Sequence, residues 1–510
     1  MTPMATLPHL ARTAPRAALR RLAEWLARGW PVLVVLAVVA LAFGAPLLSG
    51  RVYYPGDAAR QYLPQRAALA RALADGRLPW WTTEMAAGYP LLAEGEVGAL
   101  YPPNWVTVGL MDLETGTTVS IVGHYLLAAA GVCLLLRALG LPWAAVALGA
   151  LAFSLGGFYV AHLSHLSILH AAAWLPWLLY LAGGMLRREV TPRGLLGRMA
   201  ALAAVVAAQF LAGHAQISLL ALGLVGLYAL YAGLVERRTG RRWEVWAAWI
   251  GALAVGAALA APQLWASAQL AALSQRGGGL ESAYFTSYSF HPLLAVTMLA
   301  PYARGNPYPQ GSVELMPYLG LLPMALAAIG LVRSKRRVRW YLLLVAVLGL
   351  ALAAGRWNPL YAHLLRVPVL NLFRVPARYL LWTHAGVVGL AALGLESLLA
   401  ASLRRPSSAV TWALAGALAM CLLLVAGITL ALQGEVDRLV TAWQSFPFLL
   451  GIASAAALGL LWGWHPRWGV PGALAVLLVD LLAYGAVLGG TYNATWPRQA
   501  VVAAPRVLDV

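Results

Sequence analysis

The chain has 510 residues, 61% of them hydrophobic and 11% charged, with a mean hydropathy of +0.73. A water-soluble globular domain does not sustain that balance, so the length reads as one polytopic membrane bundle rather than a string of soluble domains. The 36 Lys and Arg against 18 Asp and Glu mark the inner face of such a bundle, and nucleic acid is set aside as a partner.

Residues 1–29 form a basic tail carrying Arg12, Arg16, Arg20, Arg21 and Arg28, placed in the cytoplasm. The apolar stretch from Trp30 to Leu48 is longer than a signal-peptide core and is read as a retained first span, with cleavage near Gly44 and Ala45 left open. Further spans are predicted at 118–138, 142–161, 166–186, 198–213, 215–235, 245–266, 316–332, 340–355, 379–400, 409–432, 446–464 and 470–490. The fold class is therefore an all-α polytopic membrane protein of about 13 transmembrane helices, its membrane domain covering 30–490. Cys133 and Cys421 both lie in apolar runs and suggest no disulfide framework.

Met199 to Leu234 reads either as one long helix or as two broken at Gly213-His214. The break puts 22 basic residues inside and 14 outside, and keeps Arg333, Lys335, Arg336, Arg337 and Arg339 on the cytoplasmic side. The hairpin is favoured, which places the C-terminus outside. All five Asn and most His then fall in outer segments or the outer ends of spans. The outer loops 50–117, 267–315 and 356–378 are long and chemically mixed, so the chemistry is expected on the extracytoplasmic face of the membrane.

The first outer loop begins with Tyr54, Gly56, Asp57, Gln61 and Tyr62 close to the end of the first span. Tyr62, Leu69 and Leu73, with Arg60, Arg66, Arg71 and Arg77 interleaved, predict an amphipathic helix in the interface plane, anchored by Trp80 and Trp81. Gly-Asp-x-x-x-Gln-Tyr at 56–62, Gly88-Tyr89-Pro90 through Glu94, Tyr101-Pro102-Pro103-Asn104, Gly213-His214-Ala215-Gln216 and Phe373 through Tyr379 together resemble the bacterial YfhO-type integral membrane proteins. The likeness runs from about residue 30 to 505. That family is similar to the GT-C membrane glycosyltransferases, which use polyprenyl-phosphate-linked sugars and carry an acidic residue in the first outer loop. Longer relatives continue into a soluble extracytoplasmic domain, so 491–510 reads either as the truncated start of one or as a natural short tail.

Sugar transfer from a lipid phosphate needs a base at the acceptor hydroxyl and cations around the leaving phosphate. Asp57 is the first choice for base, on the expectation that partial desolvation raises its basicity; the competing reading is a helix cap. Glu94 is the second acid. Tyr54, Gln61 and Tyr62 surround Asp57 in sequence. Arg374 and Arg378, four apart, are read as a phosphate clamp, against interfacial snorkelling.

His162 and His165 stand at an outer turn with no carboxylate adjacent in sequence, so hydrogen bonding to a sugar is favoured over a metal pair. No metal ligands are assigned, and dependence on a divalent cation is left open. His214 and Gln216 at the hairpin apex are read as groove lining. Asp480, deep in a span, predicts a structural hydrogen bond; Glu396 predicts snorkelling; Gly277-Gly278-Gly279 reads as a lid hinge; Asn493-Ala494-Thr495 fits a glycosylation pattern. The implied function is transfer of a sugar from a polyprenyl-phosphate-sugar donor to an envelope glycan or lipid-linked acceptor, among membrane lipids. The alternatives are a lipid-linked sugar transporter or a non-catalytic assembly factor.

Overall fold

The computed structural model describes residues 14–186, 191–235, 242–301, 312–402, 468–489 and 493–503. Among these, eight helices are long and apolar enough to cross a bilayer, from Gly29–Leu48 to Gly469–Ala486. Trp243–Leu259 and Ala261–Leu273 form a ninth span if taken as one, bent by 70°. Pro262 sits in the first turn after that bend, where its missing N–H is tolerated. Leu321–Arg333 and Val338–Ala353 are shorter apolar helices. The predicted spans 409–432 and 446–464 lie outside the described residues. The span predicted from residue 316 starts at Leu321 instead, since Pro317 and the left-handed Gly320 keep the chain extended until there.

Small residues set the packing. A Cβ on Gly330 would lie 2.0 Å from the carbonyl oxygen of Leu390, and one on Gly394 would lie 1.9 Å from that of Leu326. Leu321–Arg333 therefore meets Pro376–Ala401 backbone to backbone, as membrane helices do where dispersion replaces the hydrophobic drive. Asp480 accepts from the Tyr318 hydroxyl at 2.7 Å and from the Leu321 amide at 3.2 Å, the structural role expected of it. Glu396 does not simply snorkel: it pairs with Arg336 of the basic loop before Val338–Ala353.

Met199 to Leu234 is a hairpin. Near the start of Pro192–Leu211, Arg198 donates to the Gly184 carbonyl, and near the end of Ala215–Leu234, Tyr228 lies against Gly183. Both helices thus reach the same level of Leu166–Met185, and the turn between them lies at the opposite end. Gly213 makes that turn at φ +94°, and any Cβ there would lie 2.3 Å from the carbonyl oxygen of Gly95. The hairpin apex is thereby seated on the first outer loop.

That loop is a folded layer. Ala58–Tyr62 forms a π-turn that runs into the helix Leu63–Ala74. Within that helix Arg66 points inward: it is 1% exposed and donates to Asn104 at 3.1 Å and Thr107 at 2.8 Å. Its apolar side joins Leu91, Leu92, Val97 and Val108 in a satellite core, while Trp80 and Trp81 stay exposed. Gln263 and Ser267, past the 70° bend, donate to the carbonyls of Leu92 and Ala93 and brace this layer.

Arg51–Tyr53 pairs antiparallel with Thr495–Pro497, Val52 opposite Trp496, so the chain after the last described span returns to the start of the first loop. Asn493 is buried and donates to the Val160 carbonyl at 2.8 Å, which removes its amide from use as a glycosylation acceptor. Gly277–Gly279 is a turn pinned to the third outer loop by Arg276 on the Leu372 carbonyl and Leu280 on that of Asn371, rather than a free hinge.

Candidate active site

At the loop end of the bundle lies a polar cleft of about 700 Å³. Its walls come from every outer segment singled out by the sequence: Asp57, Gln61 and Tyr62 from the first loop, His165 and His214 from outer turns, Glu314 from the second long loop, and Arg374 and Arg378 from the third. Tyr54 is not among them; it stands edge-on to Trp496 beside the two-stranded ribbon.

Asp57 precedes the π-turn but its side chain makes no capping hydrogen bond. It instead lies 2.9 Å from Nε2 of His165, half-exposed to the cleft. That hydrogen bond, with the charges of His165 and Arg60, outweighs desolvation and lowers the carboxyl pKa below its usual value. The expectation that burial raises its basicity is therefore reversed: Asp57 is a carboxylate held ionised by a partner.

Glu314 is the hub that sequence reasoning missed. Buried at the turn Val313–Leu315, it receives the Arg378 guanidinium at 2.7 to 3.2 Å on both oxygens and lies 3.0 Å from Nε2 of His162. Burial alone would raise its pKa, yet Arg378 and His162 hold it well below the usual range. Arg378 also donates to Gln216 Oε1 at 2.8 Å and lies 3.1 Å from Nε2 of His214. No sequence motif surrounds Glu314; its only signal was an acid in a long outer loop.

The arginine clamp is corrected in its geometry. Val375, at φ +67°, breaks the backbone between Arg374 and Arg378, so the two do not share a helical face. Both still line the cleft, but Arg378 is spent on Glu314. Arg374 stands 4.9 Å over the Tyr284 ring and, among the described residues, has no carboxylate partner; its own carbonyl is tied by Gln216 Nε2 at 2.6 Å.

Of the neighbouring acids Glu94 and Glu96 it is Glu96 that faces the cleft. Glu96 accepts from Gln61 at 2.6 Å and from Tyr62 at 3.3 Å, and Tyr62 also meets Ser167 at 2.7 Å. Glu94 sits behind, accepting from the Glu96 amide at 3.0 Å, its carboxyl pushed up to about 8 by burial and by the neighbouring Glu96. A carboxyl in that state is a proton store, not an exposed base.

His162 is buried behind the cleft wall, with Nδ1 on the Phe158 carbonyl at 2.7 Å. The carboxylates absent from its sequence neighbourhood arrive in space: ligand atoms of His162, His165 and Glu314 all lie within 4.8 Å of one another.

No protein-family model matches the chain, and no curated protein matches it. Solved structures do. ArnT from Cupriavidus metallidurans bound to undecaprenyl phosphate is similar at a TM-score of 0.51 and 17% identity, over 91% of this chain and 77% of that one. The fold is like that of ArnT. The apo state of ArnT gives a TM-score of 0.51 and 17% identity over 92% and 78%. The arabinofuranosyltransferase AftD from Mycobacteria gives 0.47 and 18% over 84% of this chain and 30% of that one. The likeness to ArnT is one of fold: a polytopic all-α bundle, as the sequence led one to expect.

Proposed function

We propose that this GT-C-like protein, of the YfhO type by its motifs, is a glycosyltransferase. It takes a sugar from a polyprenyl-phosphate-linked donor and passes it to a cell-envelope glycan or lipid-linked acceptor on the extracytoplasmic side. The observation that carries the reading is the cleft itself: an ionised carboxylate, Asp57, fixed by His165 on one wall, and Arg374, free of any carboxylate among the described residues, on the other. The fold is shared with a protein seen bound to undecaprenyl phosphate, which supports a lipid phosphate as the leaving group.

In this reading the acceptor hydroxyl gives its proton to Asp57 as its oxygen attacks the anomeric carbon, the bond to the phosphate oxygen breaks, and the phosphate leaves with the bonding electrons against Arg374. One displacement inverts the anomeric centre, by analogy with the fold. Arg378, locked to Glu314, Gln216 and His214, shapes the wall instead of gripping phosphate.

The test is transfer of radiolabelled sugar from synthetic polyprenyl-phosphate donors by purified protein in lipid. Wild-type transfer that disappears in Asp57→Asn and weakens in Arg374→Ala, with donor binding intact in Asp57→Asn, supports the assignment. Full activity of Asp57→Asn removes it as base, and no wild-type transfer from any donor favours a transporter or assembly factor.

A further inference from the structure

The hydrogen-bond directions around His162 do not close without an additional positive centre. The Phe158 carbonyl can only accept, so Nδ1 of His162 carries the ring hydrogen. In a neutral ring Nε2 is then a bare lone pair, and it faces Glu314 Oε2 at 3.0 Å. Glu314, held ionised by Arg378, also can only accept. Two acceptors at that distance repel unless a second ring proton or a cation lies between them.

His165 shows the complementary arrangement. Its Nε2 lies 2.9 Å from the Asp57 carboxylate and carries the hydrogen that this contact requires. Nδ1 is left as the lone pair, and it is buried with no hydrogen-bond partner. A carboxylate that takes one ring hydrogen of a histidine and frees its other nitrogen is the usual second shell of a metal ligand.

We infer that His162 Nε2, His165 Nδ1 and Glu314 Oε2 bind a first-row divalent transition cation, zinc in the first instance. Each ligand is already oriented from behind: His162 by the Phe158 carbonyl, His165 by Asp57, Glu314 by Arg378. Two imidazoles and one carboxylate suit zinc and disfavour magnesium and calcium, which prefer all-oxygen sets. Bonds of about 2.0–2.2 Å place tetrahedral ligands roughly 3.4 Å apart, so the 3.0 Å pair opens slightly and any pair near the 4.8 Å limit closes.

Three protein ligands leave one position open. His165 and Glu314 both line the cleft. There the cation offsets the charges of Asp57 and Glu314 and offers a Lewis acid to a phosphate oxygen. This role toward phosphate rests on the transferase reading, whereas the binding of the ion does not.

The experiment uses the metal alone. Purified protein in detergent is stripped with chelator, titrated with zinc by calorimetry, and assayed for retained metal after gel filtration, with Co²⁺ as an optical probe. The expected result is one equivalent of zinc, lost in His165→Ala and Glu314→Gln, and weakened about 10–100-fold in Asp57→Asn, which touches only the second shell. Glu314 also braces Arg378, so His165→Ala is the decisive variant, its fold verified by elution volume and helical circular dichroism. No retained zinc in wild type, or equal retention in wild type and His165→Ala, overturns the assignment. Neither result depends on finding sugar transfer, and failure to find transfer leaves the titration as it is.

Discussion

Asp57 and His165 meet at 2.9 Å, and this one contact joins the first outer loop to the turn between two spans. It sets the protonation of the cleft as well as its shape, because the imidazole lowers the carboxyl pKa. Asp57→Asn keeps an oxygen acceptor for His165 while removing the charge. Transfer should fall by about 10²–10⁴-fold, the usual worth of a positioned base. The sign follows from linkage: a lowered folded pKa contributes stability above the ordinary value of 3.8, lost only as pH falls through the lower folded value. Melting of wild type and Asp57→Asn should therefore diverge toward neutral pH and converge at strongly acidic pH, a pattern that a pH series of thermal unfolding checks.

Arg378 and Glu314 are 16% and 8% exposed at the cleft wall, so each neutralises a charge that water hydrates only in part. Arg378→Met leaves the Glu314 carboxylate buried without its main partner, which should cost about 3–5 kcal/mol. The double variant Arg378→Met, Glu314→Gln removes both charges and should recover a large part of that loss. Denaturant unfolding in detergent, run as a double-mutant cycle, measures the coupling; additive losses would show the two to be independent.

The bundle was legible because hydrophobic runs of membrane length and basic inner loops are local signals, and the hairpin at Gly213 followed from charge parity alone. Asp57, Gln61, Tyr62 and Arg374 reached the cleft because motifs near loop and span boundaries fix them there. Glu314 was not legible: what makes it a hub is two partners, His162 and Arg378, brought from distant segments. The same limit applied to Arg66, whose place in a regular polar pattern suggested a wet surface while its partners Asn104 and Thr107 lie on a later helix. Glu94 outranked Glu96 by motif, yet side-chain direction, which sequence does not state, turned Glu96 to the cleft.

Glu94 gives the stability curve a slope of opposite sign to that from Asp57. Its carboxyl binds a proton more tightly folded than unfolded, with the pKa raised from 4.5 to about 8 by burial and by Glu96. Its contribution is full below about pH 4.5 and is lost as pH rises through 8. Glu94→Gln, neutral at every pH, should melt higher than wild type at pH 8 and remove most of the decline between pH 5 and pH 8. Identical slopes in the two proteins would place the raised group elsewhere.

The last prediction concerns the joint between hairpin and loop. Gly213 adopts φ +94°, and its missing Cβ leaves room for the Gly95 carbonyl, which a methyl group would meet at 2.3 Å. Backbone atoms occupy both sides, so no side-chain rotation relieves the clash. Gly213→Ala should cost at least the roughly 1–2 kcal/mol of left-handed strain, and the added collision should lift the first loop off His214. Because Gln61, Tyr62 and Glu96 ride on that loop, the cleft loosens with it. The expected readout is faster hydrogen exchange across residues 56–98, while the helix Leu380–Ser402 stays protected. Unchanged exchange in the loop would show that the apex does not hold it.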